Sequence, residues 1–295
     1  MNIREEFPFT PILGWSITRY GTFKMCKRKY FYTYYPKFDP DYSSFKVLKL
    51  KKMTTKPLEI GNIVHDMMRD LLKRLQRTTK EINRDRFFKY ALEKTETYCQ
   101  RKTFAEVYYN ETDKIEARDL IDAINALLTA FLESDRLKWL IEFAAPEKDL
   151  WQIESAGYGE TRINDLKAYC KVDFLFPVQD RLYIIDWKTG KGNLGKHTRQ
   201  LEGYAFWAHS HHNWDIEKIM PIIAYLSPEY SEIPIRMYPS YLQTFPESVK
   251  KETQEMYEYC RNIKYNIPKD KDIFFAISHT KICDHCNFRE FCSSP

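Results

Sequence analysis

Two short apolar segments joined by a tight turn constrain the fold of this chain more than any other feature. The segments are LKAYCKVDFLFPV, residues 166–178, and RLYIIDWK, residues 181–188, with Gln179 and Asp180 between them. Segments rich in aromatic and branched residues predict strands, and a two-residue connection predicts an antiparallel hairpin. Opposed residues lie equally far from the turn, so we expect Asp173 on the first strand to face Asp186 on the second.

A pair of facing carboxylates calls for a cation between them. Directly opposed Cβ atoms lie only about 4.5–5.5 Å apart, and two negative charges so placed repel each other. Lys188 follows Asp186 by two residues and therefore projects from the same face of the strand. Carboxylate oxygens suit Mg²⁺ or Mn²⁺, and a lysine beside the ion can orient or deprotonate an attacking water. Asp173, Asp186 and Lys188 thus predict a site for phosphodiester hydrolysis.

The same residues also allow a simpler interpretation, in which Lys188 pairs with an acid at a solvated strand end. The flanking residues favour the catalytic interpretation, since a solvated edge needs no apolar neighbours. These flanking residues are Phe174, Phe176, Ile184 and Ile185. Glu154, on the preceding segment, is either a further acid of the site or a solvent-facing residue.

The first half of the chain is predicted to be helical and the second half to carry a sheet. Residues 61–75, GNIVHDMMRDLLKRL, have apolar residues at helical spacing, and the helical pattern continues over residues 81–143. After Pro146 come short apolar segments typical of strands, with helical patterns between and after them. Residues 16–35 are interpreted as helical, with Ser16 as the N-cap, and residues 46–56, with five lysines, as a basic loop or edge segment.

Further motifs that bear on function lie outside the hairpin. His65 lies in the helical segment GNIVHDMM, and Gln200 and Tyr204 lie one helical turn apart in RQLEGY, after the lysine strand. Together with the D-x-K pattern of Asp186 and Lys188, this order of motifs resembles the PD-(D/E)XK nucleases. The resemblance is to the RecB-like branch in particular, and to the CRISPR-associated exonucleases that carry a four-cysteine iron–sulfur cluster.

The resemblance implies an α/β fold with a restriction-endonuclease-like core, in which helices flank a mixed central sheet. His65, Asp173 and Asp186 would be ligands of Mg²⁺ or Mn²⁺, Lys188 the catalytic lysine, and Gln200 and Tyr204 would complete the site. We expect one nuclease domain over residues 1–295. It would comprise an N-terminal segment (1–60), an inserted helical region (61–145), the nuclease core (146–245), and a C-terminal helix with the cysteine cluster (246–295).

The cysteines fit the same families. Seven cysteines in a chain without a secretory signal argue for thiol ligation or free thiols rather than a disulfide framework. By resemblance, four of them would ligate a [4Fe-4S] cluster that joins the two ends of the chain and stabilises the fold. These are Cys26, Cys283, Cys286 and Cys292. Four thiolates could equally hold zinc, which the resemblance makes the less favoured occupant.

DNA is the expected partner. Basic residues interleave with aromatic ones before residue 36, and lysines follow over residues 46–56, which offers charge for phosphates and rings for unstacked bases. Single-stranded DNA or DNA ends fit that description, so an exonuclease acting in CRISPR adaptation or in recombination and repair is expected, with possible protein partners in a DNA-processing complex. The candidate contacts are Lys49, Lys51, Lys52, Lys191, Lys196 and Arg199.

Two other functions remain open. One is a nucleic-acid-binding subunit that keeps the fold but does not cut, which an intact Asp173, Asp186 and Lys188 set disfavours. The other is a P-loop nucleotide hydrolase, because GKGNLGK at residues 190–196 matches the glycine and lysine spacing. A P-loop requires Ser or Thr directly after the lysine, and His197 stands there instead.

The composition and the N-terminal sequence predict the cellular location of the protein. The chain has 46 Lys and Arg against 41 Asp and Glu, and no apolar run approaches the roughly 18 residues of a membrane span. The N-terminal sequence lacks the basic start and apolar stretch of a secretory signal. A cytoplasmic protein without a membrane segment is therefore expected.

Overall fold

The computed structural model describes residues 7–78, 80–154, 159–190, 192–278 and 280–292. Its helices are α1 (Ile17–Met25), α2 (Lys27–Tyr34), α3 (Ser44–Lys51), α4 (Lys56–Arg77), α5 (Arg84–Arg101), α6 (Ala105–Tyr108), α7 (Ile121–Leu132), α8 (Asp135–Trp139), α9 (Leu194–His212), α10 (Tyr241–Tyr257) and α11 (Thr280–Cys283). Its strands are β1 (Gln152–Ile153), β2 (Glu160–Ile163), β3 (Leu166–Tyr169), β4 (Phe174–Val178), β5 (Arg181–Lys188), β6 (Ile219–Tyr225), β7 (Ser231–Pro234), β8 (Cys260–Asn262) and β9 (Ile267–Pro268). These elements form two compact units, and each is described by itself.

The first unit comprises the described parts of Thr54–Gly159 and Cys170–Phe245. It contains a five-stranded mixed sheet in the order β1-β4-β5-β6-β7. Only β5 and β6 pair in parallel, and the crossover between them contains α9; the other pairs are antiparallel. The mixed sheet and its helices confirm the predicted α/β class.

Both faces of the two central strands are covered, which explains why their sequences are almost continuously apolar. On one face, Phe174 and Trp187 pack in the core formed with α4 and α7. On the other face, Ile184 and Ile223 pack against Leu201 of α9. Charged side chains on β5 are therefore found only where the strand ends.

Helix α4 confirms the prediction for residues 61–75 and extends it at both ends. Thr55 caps its N-terminus by accepting a hydrogen bond from the backbone N–H of Leu58. Eight of its residues are buried, and the seven apolar ones among them recur at helical spacing. The helical pattern expected over residues 81–143 is confirmed as α5 to α8, with irregular segments between them.

The second unit comprises the described parts of Arg4–Met53, Glu160–Tyr169 and Pro246–Pro295. The expected helix over residues 16–35 is divided into α1 and α2 at Cys26, where the backbone is extended. Ser16 caps α1 as predicted, and Cys26 caps α2, with its sulfur accepting the Lys29 N–H. The aromatic side chains that alternate with basic ones here are largely core: Tyr30, Phe31, Tyr32 and Tyr35 are at most 2% exposed. The expectation that these particular rings stack on bases is therefore wrong.

The lysine-rich segment is also different from the expectation. Residues 44–51 form helix α3 rather than a loop, capped by Ser43 and anchored by the buried Val47 and Leu50. The sequence did not predict this helix, because a few apolar residues among lysines give too weak a helical pattern. Three short strands, β2, β8 and β9, were not anticipated. Of the helices in the described part of the chain, none is both long and apolar enough to cross a membrane.

Candidate functional site

The β4–β5 hairpin brings the two aspartates together in the first unit, as the sequence predicts. Phe174 pairs with Ile185 and Val178 with Arg181, so Gln179 and Asp180 form the turn in the predicted register. Gln179 has a φ of 56°, in the left-handed region that a tight hairpin turn requires. Asp173 comes directly before β4, and its Oδ2 accepts the backbone N–H of Trp187 at 3.0 Å. This bond fixes Asp173 beside the strand that carries Asp186.

Lys188 links Asp186 to helix α9. Its ammonium forms an ion pair with Asp186 and donates a hydrogen bond of 3.0 Å to Oε1 of Gln200. The amide of Gln200 in turn donates to the Tyr204 hydroxyl at 2.7 Å. Gln200 and Tyr204 share one face of α9, so the helix holds Lys188 through a short chain of hydrogen bonds.

His65 reaches the site from α4. Its Nδ1 lies 3.4 Å from Oδ2 of Asp173. One turn earlier, an added Cβ at Gly61 would lie 3.1 Å from Oγ1 of Thr189, next to Lys188 in the chain. The absence of a side chain at Gly61 lets α4 approach that segment closely, which brings His65 to the aspartates.

Burial and mutual repulsion set the protonation of the carboxylates. Asp186 is 2% exposed, and burial together with the negative charge of Asp173 raises its pKa to about 6. Burial also opposes ionisation of Asp173, but His65, the Trp187 N–H and Lys188 together outweigh it and lower the pKa of Asp173. For His65, burial is likewise outweighed by the Asp173 and Asp186 carboxylates together, so the pKa of the imidazole is raised. Without a metal ion, the site thus holds protons that a cation would displace.

The site has the donors that a hard divalent cation requires. Asp173 and Asp186 supply carboxylate oxygens and His65 a ring nitrogen, and Oδ2 of the buried Asp186 contacts the Lys188 ammonium. Among the described residues, no three or more His, Cys, Asp and Glu side chains are already arranged around a common point as metal ligands. The donor chemistry therefore fits Mg²⁺ or Mn²⁺, and the ligand set of His65, Asp173 and Asp186 stays a prediction.

Glu154 is neutralised by cations. Its carboxylate pairs with Lys171 at 2.6 Å and with Arg69 at 3.3 Å, and Arg69 also pairs with Asp66. The backbone N–H of Glu154 donates to the carbonyl of Asp173 at 2.9 Å. Glu154 therefore borders the site and is neither solvated nor free.

His197 and Tyr225 are two residues at the site that the sequence interpretation did not select. Nδ1 of His197 lies 2.9 Å from the Tyr225 hydroxyl, and Tyr225 pairs with Lys188 in the parallel β5–β6 register. Burial, followed by the charges of Lys188 and Lys196, lowers the pKa of His197 to about 4. The available signal was helical spacing, because residues 197, 200 and 204 lie on one face of α9.

The four cysteines expected to hold a cluster all belong to the second unit. Cys286 and Cys292 both have a raised pKa because of burial, and the charges of Cys26 and Cys283 raise both further. The described cysteines are not already arranged as a group of metal ligands, so their ligation of a cluster stays a prediction. The sulfur of Cys26 also accepts the Lys29 N–H, and Cys283 contacts the carbonyl of Ile277.

The candidate DNA contacts lie in both units, except Lys191, which is outside the described residues. Lys51 is exposed, but its ammonium lies over the Tyr34 ring, and desolvation there, followed by the charge of Arg19, lowers its pKa. Lys49 lies in α3 and Lys52 directly follows it. In the first unit, Lys196 is exposed in the first turn of α9, and Arg199 pairs with Glu202 and lies over the Phe245 ring.

Comparison with known proteins gives a family match over most of the chain. A family model of the PD-(D/E)XK nuclease superfamily matches residues 14–293. Among solved structures, the crystal structure of SSO0001 has a TM-score of 0.31 and 16% sequence identity, with 72% of this chain and 98% of that chain covered. That structural similarity is too low to support an argument about fold or site. A search of curated proteins found no match.

The raised pKa of Asp186 predicts a pH-dependent gain in stability for Asp186→Asn in the metal-free protein. The folded state disfavours the ionised carboxylate, so wild type loses stability as pH rises through about 6, and asparagine does not. We expect the variant to be more stable by roughly 1 to 3 kcal/mol near pH 7.5, with the difference shrinking towards about pH 5. Denaturant unfolding in EDTA at both pH values measures it.

Asp180→Asn is the matched control, because Asp180 lies in the turn of the same hairpin with its side chain 70% exposed. Its unfolding free energy should follow that of wild type at both pH values. A destabilised Asp186→Asn protein near neutral pH, or a difference that does not change with pH, would contradict the assignment of buried repulsion to Asp186.

Proposed function

Since this chain belongs to the PD-(D/E)XK nuclease superfamily, we propose that it is a metal-dependent deoxyribonuclease, an exonuclease acting on single-stranded DNA or DNA ends. One observation carries the proposal: Asp173 and Asp186 stand side by side on a buried hairpin, with Lys188 in contact with Asp186. Membership of the superfamily supports hydrolysis of a phosphodiester as the reaction.

In this proposal, Asp173, Asp186 and His65 would hold Mg²⁺ or Mn²⁺. A bound divalent ion supplies Lewis-acid stabilisation of a phosphoryl oxygen and favours ionisation of the attacking water. The residues supply the environment for it: two carboxylates in a dry position favour a cation strongly, because burial weakens the competing hydration. Loss of the proton from His65 frees its nitrogen for the ion.

Lys188 would act on the phosphate and the water. Its ammonium is only 17% exposed at the side chain, and Asp186 and Gln200 fix its position. A fixed positive charge in a partly buried site stabilises the negative charge that builds on the phosphoryl oxygens, without reorganisation during the reaction. Gln200 and Tyr204 would position Lys188 through their hydrogen bonds rather than contact the reacting atoms.

The proposed substrate class comes from the resemblance and from the basic surface. Exposed lysines in α3 and in the first turn of α9 would contact the phosphate backbone, which gives affinity without sequence preference. Lys49 in α3 and Lys52, which directly follows the helix, are the strongest candidates, because the ammonium of Lys51 lies over the Tyr34 ring. A role in CRISPR adaptation or in recombination and repair, with protein partners, belongs to the same proposal.

We further propose that Cys26, Cys283, Cys286 and Cys292 hold a [4Fe-4S] cluster with a structural role. The proposal rests on the cysteine spacing in the sequence and on the location of all four cysteines in one unit, and the resemblance favours iron–sulfur over zinc. A cluster at this place would tie the N-terminal and C-terminal segments of the second unit together.

The cluster proposal predicts about four iron and four sulfide per chain after anaerobic purification. Cys286→Ser should lose most of the metal and unfold more readily, whereas Cys99→Ser, which removes a thiol of the first unit, should keep it. Metal and sulfide analysis with a thermal melt measures both. One zinc per chain without sulfide, or metal retained by Cys286→Ser, would overturn the assignment.

The nuclease proposal predicts cleavage of end-labelled DNA with Mn²⁺ or Mg²⁺ and none with EDTA. Asp186→Asn and Lys188→Met should each lower the rate at least about a hundredfold, because each removes charge that the transition state requires. Product lengths on single-stranded and duplex DNA would show whether digestion starts at an end.

Asp180→Asn should cut at the wild-type rate and serves as the control. Cutting that survives in both site variants would place the active site elsewhere. A folded wild-type protein that binds DNA without cutting it in any metal would instead support the non-cleaving binding subunit.

A further inference from the structure

A third polar residue extends the row of Gln200 and Tyr204 along α9. His197 lies one turn before Gln200 on the helix face that packs against the sheet. Its Nδ1 is 2.9 Å from the hydroxyl of Tyr225, which stands beside Lys188 on the neighbouring parallel strand. The His197–Tyr225 pair and the Lys188–Gln200 pair therefore lie next to each other in the same unit.

The exposure of the polar residues differs. Asp186 is 2% and Tyr204 is 7% exposed, whereas Lys188, Gln200 and His197 are partly exposed. Asp173 is partly exposed as well, with 19% of its side chain accessible. Lys188 and His197 thus form a solvent-facing part of the site.

Gly192 lies against the His197–Tyr225 pair. An added Cβ at Gly192 would lie 3.3 Å from the Tyr225 hydroxyl, so a side chain there would crowd the atom that holds His197. Added Cβ atoms at Gly190 and, in the first turn of α9, at Gly195 would meet nothing within 4 Å.

We propose that His197 contacts the substrate, with its Nε2 donating a hydrogen bond to a non-bridging oxygen of the phosphodiester chain, and that Tyr225 is the positioning residue that holds the ring. This proposal rests on the proposed nuclease function. A Tyr225 hydroxyl that donates to Nδ1 leaves the proton of a neutral imidazole on Nε2, which selects the tautomer able to donate.

The surroundings of His197 favour an anion over a cation. Lys188 and Lys196 both act on its charge, and the lowered pKa keeps the ring neutral at physiological pH. A neutral donor contacts a phosphate without adding to the repulsion among those lysines. The part of the site around Lys188 and His197 therefore suits phosphate, whereas the carboxylates of Asp173 and the buried Asp186 suit the metal ion.

Kinetics of the wild-type chain and three variants test the proposal. His197→Ala should lower kcat/KM about tenfold, the value of one hydrogen bond to a charged group, with most of the effect in KM. His197→Gln retains an N–H donor and should recover part of the loss. Tyr225→Phe keeps the aromatic ring but removes the hydroxyl that holds the imidazole of His197, so kcat/KM is expected to fall severalfold.

His209→Ala is the matched control. His209 lies at the other end of α9, where Nδ1 is 2.6 Å from the carbonyl oxygen of Trp214. Its kcat/KM should equal that of wild type. Equal losses in His197→Ala and His197→Gln, with melting temperatures lowered alike, would mark His197 as a packing residue and overturn the proposal.

A neutral phosphate analogue tests the contact itself. Oligonucleotides that carry one methylphosphonate at successive positions are bound in EDTA by wild type and by His197→Ala. At one position the methylphosphonate and His197→Ala should remove the same contact. The loss of affinity with both changes together should then be about tenfold smaller than the product of the two separate losses. Effects that multiply at every position would overturn the proposal. Because binding is read without cleavage, failure of the nuclease function is seen separately, as wild-type binding without cutting in Mn²⁺.

Discussion

The repulsion between two carboxylates held side by side in a dry hairpin is the constraint on which the rest of the site depends. Asp173 and Asp186 cannot both ionise there without compensation, and the raised pKa of Asp186 expresses that cost. Three other polar groups of the site compensate for this repulsion. Lys188 pairs with Asp186, His65 pairs with Asp173, and the Trp187 N–H donates to Asp173.

Lys188 and Trp187 belong to β5, and two helices on opposite faces of the sheet supply other side chains of the site. Helix α4 contributes His65, which the close approach at Gly61 permits, and α9 contributes Gln200, Tyr204 and His197 as one row. The strands themselves are buried on both faces, so their apolar residues fix the position of the few charged ones. The same packing that stabilises the first unit thus sets the geometry of the site.

The sequence was sufficient where a local rule determines geometry. A two-residue turn fixed the hairpin register, and with it the facing of Asp173 and Asp186. Sequence was insufficient where tertiary packing decides: the break at Cys26 depends on that residue capping the next helix, and α3 forms because Val47 and Leu50 find a core. His197 was missed for a related reason, since only the parallel pairing of β5 with β6 brings Tyr225 beside Lys188.

The central claim is that Asp173 and Asp186 form a divalent-cation site, and calorimetric titration with Mn²⁺ tests it most directly. In two buffers of different ionisation enthalpy near pH 6.5, the titration should give one ion per chain at this site with release of about one proton, mainly from His65 and to a smaller extent from Asp186. Asp186→Asn should bind far more weakly. Binding that is absent in wild type, or unchanged in Asp186→Asn, would contradict the account.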